Sequence, residues 1–243
     1  MLVGLVVAAA PIRADSANSA TLVDRIVDHI DRLYRSEDSH SHLEMIISNP
    51  NWERRLKMEM WTRGLKETLI RIHAPRKDVG ITTLRKGPEM WNFFPRIDKV
   101  MKVPPSMMMS SWMGSDFSND DLVKESTFTD DYTATLESAD DSLLTLTLIA
   151  GEHTATLWPR ISLTVRAIDL MPVTEIYYDE KDRAARRIEF EDVTEFSGRT
   201  LPATMAMTSL NKPGHRTIIR YVEAEFDTGI SDRLFSLREL QRR

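Results

Sequence analysis

Strict alternation of apolar and polar residues recurs along most of this chain, and it restricts the fold more than any other feature. Leu56, Met58 and Met60 alternate with Lys57, Glu59 and Trp61, and Ile70 and Ile72 with Leu69, Arg71 and His73. The rhythm returns in Leu144, Leu146 and Leu148, in Ile161, Leu163 and Val165, and in Ile188 and Phe190. A side-chain period of two marks antiparallel strands with one apolar face and one solvated face. Turn residues separate the runs at Asn49-Pro50-Asn51, Lys86-Gly87-Pro88, Ser197-Gly198 and Lys212-Pro213-Gly214. No interval has the strand, crossover helix, strand rhythm of a parallel sheet. The pattern predicts a mainly β (α+β) fold: about ten strands in one strongly curved antiparallel sheet with a few helices.

A curved sheet with one apolar face needs a cover. Leu22, Ile26, Ile30 and Leu33 recur at helical spacing in residues 19–35, with Val23, Val27 and Tyr34 widening the stripe and Asp24, Arg25, Asp28, Asp31 and Arg32 opposite. Ser19 or Thr21 can cap this helix, and Asp24 can complete a capping box behind Thr21. The second cover is MMMSSWMGSDFSNDDL, residues 107–122. Methionine is flexible and polarizable, and suits a surface that must accept an irregular apolar object. A helical turn would place Met108, Met109, Trp112 and Met113 on one face, ended by Gly114, with Asp116, Asp120 and Asp121 kept in water. These four with Ile26 and Ile30 form the expected lid. The cavity beneath is expected to be lined by Met58, Met60, Ile70, Ile72, Trp91, Phe93, Met205 and Met207. The alternative is that all of them pack on one another as ordinary core. A short last helix is expected at residues 231–240, capped by Ser231 or Asp232.

The net charge of −5 offers no basic field for nucleic acid. With no cysteine there is no disulfide, thiolate metal site, cysteine nucleophile or lipid-modified cysteine. The opening MLVGLVVAAA followed by PIRAD reads as the apolar core of a secretory signal, cut after Ala14. The basic residues that usually precede such a core are missing. Either the natural start lies upstream of Met1, or the run is a short terminal element that resembles a signal. No segment has the roughly 20 apolar residues that span a bilayer. The domain reading is residues 1–14 as signal and 15–243 as one domain.

No catalytic constellation emerges. Gly114-Ser115 lacks the GxSxG elbow, and P-loop and GxGxxG motifs are absent. His40 and His42 sit near Glu37, Asp38 and Glu44 without a spaced ligand set, and read as solvated loop residues. The acids between Asp116 and Asp141 lack the central glycine and terminal glutamate of a calcium loop. The expectation is no enzyme, no cofactor and no metal.

The segment WNFFPRIDKVMKVPPSMMMSSWMGSDFSNDDL, residues 91–122, resembles the signature of a bacterial periplasmic family of outer-membrane lipoprotein-sorting proteins, relatives of the LolA and LolB lipid carriers. The resemblance extends to Trp52-Glu53-Arg54-Arg55, to residues 75–80 and to residues 226–240. It implies an incomplete β-barrel whose open side is covered by helices around an apolar cavity. It implies a periplasmic, monomeric carrier or chaperone of an acylated lipoprotein or lipid, served by an inner-membrane ABC or efflux-type transporter. Such carriers often place an arginine in the cavity, and Arg54, Arg71 and Arg96 are not distinguished in that role by sequence. The same fold implies two alternatives: a periplasmic lipid sensor that binds an anti-sigma factor, or a transporter adaptor.

Overall fold

The computed structural model describes residues 16–34, 36–123, 127–154 and 156–242. The expected signal at residues 1–14 lies outside them. The described residues begin with helix α1 (Ser16–Leu33) and continue through β1 (Asp38–Asn49), β2 (Trp52–Arg63), β3 (Glu67–Ala74), β4 (Thr82–Lys86), β5 (Glu89–Phe94) and β6 (Lys99–Lys102). A connecting segment, residues 103–131, carries a 3-10 turn (Pro105–Met107) and the short helices α2 (Asn119–Val123) and α3 (Phe128–Asp131). The second series is β7 (Tyr132–Ala139), β8 (Leu143–Ala150), β9 (Arg160–Arg166), β10 (Pro172–Tyr178), β11 (Ala184–Phe196), β12 (Arg199–Ser209) and β13 (Arg216–Phe226). A 3-10 turn (Asp232–Leu234) and α4 (Leu237–Leu240) follow, where one continuous helix was expected.

All thirteen strands form one open antiparallel sheet in the order β6-β5-β4-β3-β2-β1-β13-β12-β11-β10-β9-β8-β7. Thirteen replaces the expected ten or so because β4, β6 and β10 mix polar residues into the apolar phase. Glu175 of β10, for example, lies opposite Leu163 on one side and Ile188 on the other. The two series meet at β1 and β13, so the first described strand pairs with the last. Asp38 locks this closure: its carboxylate accepts from the backbone N–H of Thr228, Gly229 and Ile230 and from the Thr228 hydroxyl. Burial pushes this carboxyl up, but those backbone donors outweigh it and hold it below its ordinary value.

The apolar phases align into one inner face. Across β7–β12, Leu144, Leu146, Leu148, Ile161, Leu163, Val165, Ile188 and Met207 bury against Val23, Ile26 and Val27 of α1. Across β1–β5 and β13, Leu43, Met45, Leu56, Met58, Ile70, Ile72 and Met90 bury around Trp112 of the connecting segment. The amphipathic helix and the methionine segment thus each cover one half of the sheet. The outer face is also covered in part: Phe235 and Leu240 pack on Leu69, Leu84 and Phe93, with Trp61 and Trp91 at the edge.

Candidate functional site

The methionine segment is held down by polar bonds. Trp112 is 2 % exposed, and its indole N–H donates to Thr83 Oγ1 at 3.2 Å. Arg54 Nη1 donates to the Met113 carbonyl at 3.0 Å while its guanidinium pairs with Asp78 at 2.8 Å. The Thr217 hydroxyl donates to Asp116 at 2.7 Å and accepts from the Asp116 N–H at 3.0 Å. Within the segment, Trp112 N–H donates to the Phe117 carbonyl and Asp120 N–H to that of Met108. The result is a folded-back loop, not the expected helical turn. Met113 (φ 52°) and Gly114 (φ 78°) take left-handed backbone at its bend. The four expected lid residues therefore do not share a face. Trp112 is core, Met108 and Met113 are half-buried, and Met109 is exposed.

Between the areas covered by α1 and by this segment lies a pocket of about 940 Å³. Its floor crosses the middle of the sheet through Ile188, Phe190, Met205, Ile219, Tyr221, Leu43 and Met60. The end of α1 supplies Ile30, Leu33 and Tyr34, the methionine segment Met108 and Phe117, α3 Phe128, β7 Tyr132, and the stretch before β9 Trp158. Two packing facts account for the gap. Met205 and Phe117 touch both core clusters without filling the space between them. The Tyr34 hydroxyl is tied to the Pro202 carbonyl at 2.8 Å, and its ring stacks on Tyr221 at 5.4 Å, so the end of α1 is held at the wall. Burial raises both tyrosine hydroxyls well above the usual phenol value.

One side of the pocket is polar. Arg186 of β11 is buried, and its Nη1 lies 3.0 Å from both carboxylate oxygens of Asp121. Its guanidinium lies over the rings of Tyr177, at 4.0 Å, and Trp158, at 4.4 Å. The Tyr177 hydroxyl donates to Glu175. Burial opposes the charge on Arg186, but the neighbouring Asp121 outweighs it and raises the guanidinium pKa. Asp31 of α1 accepts from the N–H groups of Phe128 and Thr129 at 2.8 and 3.0 Å and so fastens α3 to the rim.

Of the residues expected in the cavity, Met60 and Met205 line this pocket. Met58, Ile70, Ile72 and Met207 share its face but are packed into the two cores. Trp91 and Phe93 need correction: they lie on the outer face, beneath Phe235 and Leu240. Both faces of β5 are apolar, so alternation does not say which is inner; Met90 holds that place. Of the expected lid, Ile30 and Met108 border the pocket, and Ile26 is fully buried on the sheet-facing side of α1. Among the candidate arginines, Arg54 anchors the methionine segment and Arg71 faces outward over Trp61. The pocket arginine is Arg186, which sequence reasoning missed. Its signal was present, because Arg186 shares the phase of Ile188 and Phe190.

A protein-family model described as an uncharacterized protein matches residues 64–242. The chain belongs to that family. No curated protein matches it. Among solved structures, a DUF1329 family protein from Desulfovibrio piger is 22% identical with TM-score 0.79, over 91% of this chain and 99% of that one. A putative outer membrane lipoprotein-sorting protein domain from Vibrio parahaemolyticus is 19% identical with TM-score 0.78, over 92% and 100%. A LolA superfamily protein from Nitrosomonas europaea is 19% identical with TM-score 0.73, over 89% and 98%. The chain thus has a LolA-like fold. Among the described residues, no helix is long and apolar enough to cross a membrane.

Proposed function

We propose that this protein is a periplasmic carrier that binds the acyl chains of a lipid or lipoprotein in the inner-face pocket and passes them on, without catalysing a reaction. The observation that carries the reading is the pocket of about 940 Å³, apolar on its floor and polar along one side, at the centre of a LolA-like sheet, at the upper end of the range for small-molecule sites. Burying a ~16-carbon chain yields on the order of 12 kcal/mol before ordering costs, ample for a carrier that must also release its cargo. Ile30 and Met108 form the part of the lid that borders the pocket, while Trp112 is its buried anchor. In this reading residues 1–14 are an export signal and residues 15–243 the carrier domain. N-terminal sequencing of exported protein should then start at or next to Asp15. An inner-membrane ABC or efflux-type transporter would supply the cargo.

Titration with a fluorescent fatty acid tests the reading. Met205→Glu and Met60→Glu put a carboxylate into the pocket and should weaken binding at least tenfold in protein that remains folded. Ile72→Glu, in the packed core, should instead lower stability. Wild-type affinity in folded Met205→Glu and Met60→Glu would overturn the assignment.

A further inference from the structure

The outward phase of β1 carries His40 and His42, and the register sets His42 between Glu59 on β2 and Glu223 on β13. The ligand atoms of His40, His42 and Glu59 all lie within 4.8 Å of one another. Glu59 is held at both oxygens: His40 Nε2 lies 2.7 Å from Oε1 and His73 Nε2 lies 2.9 Å from Oε2. The His40 ring stacks on Trp61 with centroids 5.1 Å apart and planes within 2°, which fixes its orientation. His42 Nε2 is 3.9 Å from Glu223 Oε2. Three imidazoles thus converge on one carboxylate, all borne on neighbouring strands, on the face opposite the pocket.

We propose that His40, His42 and Glu59 form a binding site for a divalent ion of the zinc class, with His73 as the positioning residue that orients Glu59. Two imidazole nitrogens and one carboxylate oxygen are the donor set of three-ligand zinc sites that keep a fourth position for water. The set is wrong for calcium or magnesium, which require oxygen cages. Ligand atoms of a tetrahedral zinc ion stand roughly 3.4 Å apart, so small side-chain rotations close the triangle without moving the strands. In doing so His40 exchanges its bond to Glu59 for the metal. His73 keeps its grip on the second oxygen, the usual part of an outer-shell partner. His42 is 46 % exposed, so the site is open to ions in solution.

Isothermal titration of the whole protein with Zn²⁺, paired with the visible spectrum of the Co²⁺ form, tests this. One ion should bind per chain, and magnesium should give no heat. His42→Ala and Glu59→Gln should each weaken zinc at least tenfold, with circular dichroism confirming the fold. His73→Ala should keep the stoichiometry of one and weaken affinity about tenfold. Absence of zinc uptake, or an affinity unchanged by both His42→Ala and Glu59→Gln, overturns the site. Neither result bears on acyl binding across the sheet.

Discussion

Nη1 of Arg186 reaches both carboxylate oxygens of Asp121 at 3.0 Å, joining the pocket floor to the first turn of α2. Both side chains are largely shielded, at 10% and 20% exposure, so removing one partner strands a charge in a poor solvent. Asp121→Ala should cost about 2–4 kcal/mol in urea denaturation, and Arg186→Met, which strands the Asp121 carboxylate but leaves it the Ser118 N–H and hydroxyl as donors, should cost less. A double-mutant cycle will check the coupling; additive losses would mean that the pair is not a tie.

Trp112 and Met109 lie three residues apart and should behave oppositely. Trp112→Ala opens a cavity among Met45, Met58, Ile72 and Met90 and should cost about 3–5 kcal/mol. Trp112→Phe, which mainly loses the bond to Thr83, should cost less. Met109→Ala, at an exposed site, should stay within about 0.5 kcal/mol of the parent. Thermal and denaturant unfolding will rank the three.

Asp38 closes the sheet by gathering three consecutive N–H groups and a hydroxyl. Asp38→Ala should cost about 1.5–3 kcal/mol, because a buried, charged acceptor shared by four donors is lost. Amide hydrogen exchange should locate the damage, with protection lost at Thr228, Gly229 and Ile230 before it is lost in β13.

Asp179, between β10 and β11, accepts from the Arg183 guanidinium at 2.7 Å and from the backbone N–H of Arg183 and Lys181. The Arg183 bond is the main cause that lowers its pKa from 3.8 to about 2. A depressed carboxyl pKa stabilises the fold above pH 3.8, and that contribution fades as the pH falls toward 2. Carboxyl-carbon NMR should place the Asp179 midpoint near the lower value, and Arg183→Ala should move it back up.

Fold class was legible because a period of two is a local property of a chain. Leu144, Leu146 and Leu148, or Ile161, Leu163 and Val165, identify their strands and buried side unaided. The stripe through Ile26 likewise identified α1 as the element that must lie on an apolar sheet. The inward phase of Met60 and Met205 was legible too. What lies over a face is a non-local property. Trp91 and Phe93 face outward because residues 230–240, far along the chain, return to bury them. Trp112 became an anchor because Thr83 offers its indole a buried acceptor. Arg186 is tolerated in an apolar phase because Asp121, Tyr177 and Trp158 arrive around it from three other segments. His40 and His42 meet Glu59 through strand register, which only pairing sets. Most of the strands, their apolar phase outside β5, and the covering helix follow from backbone geometry and the removal of apolar surface from water, and so are written locally in the chain. Tertiary structure alone decided which face of β5 is inner, where the pocket opens and which charges meet, because desolvation and pairing energies depend on neighbours distant in sequence.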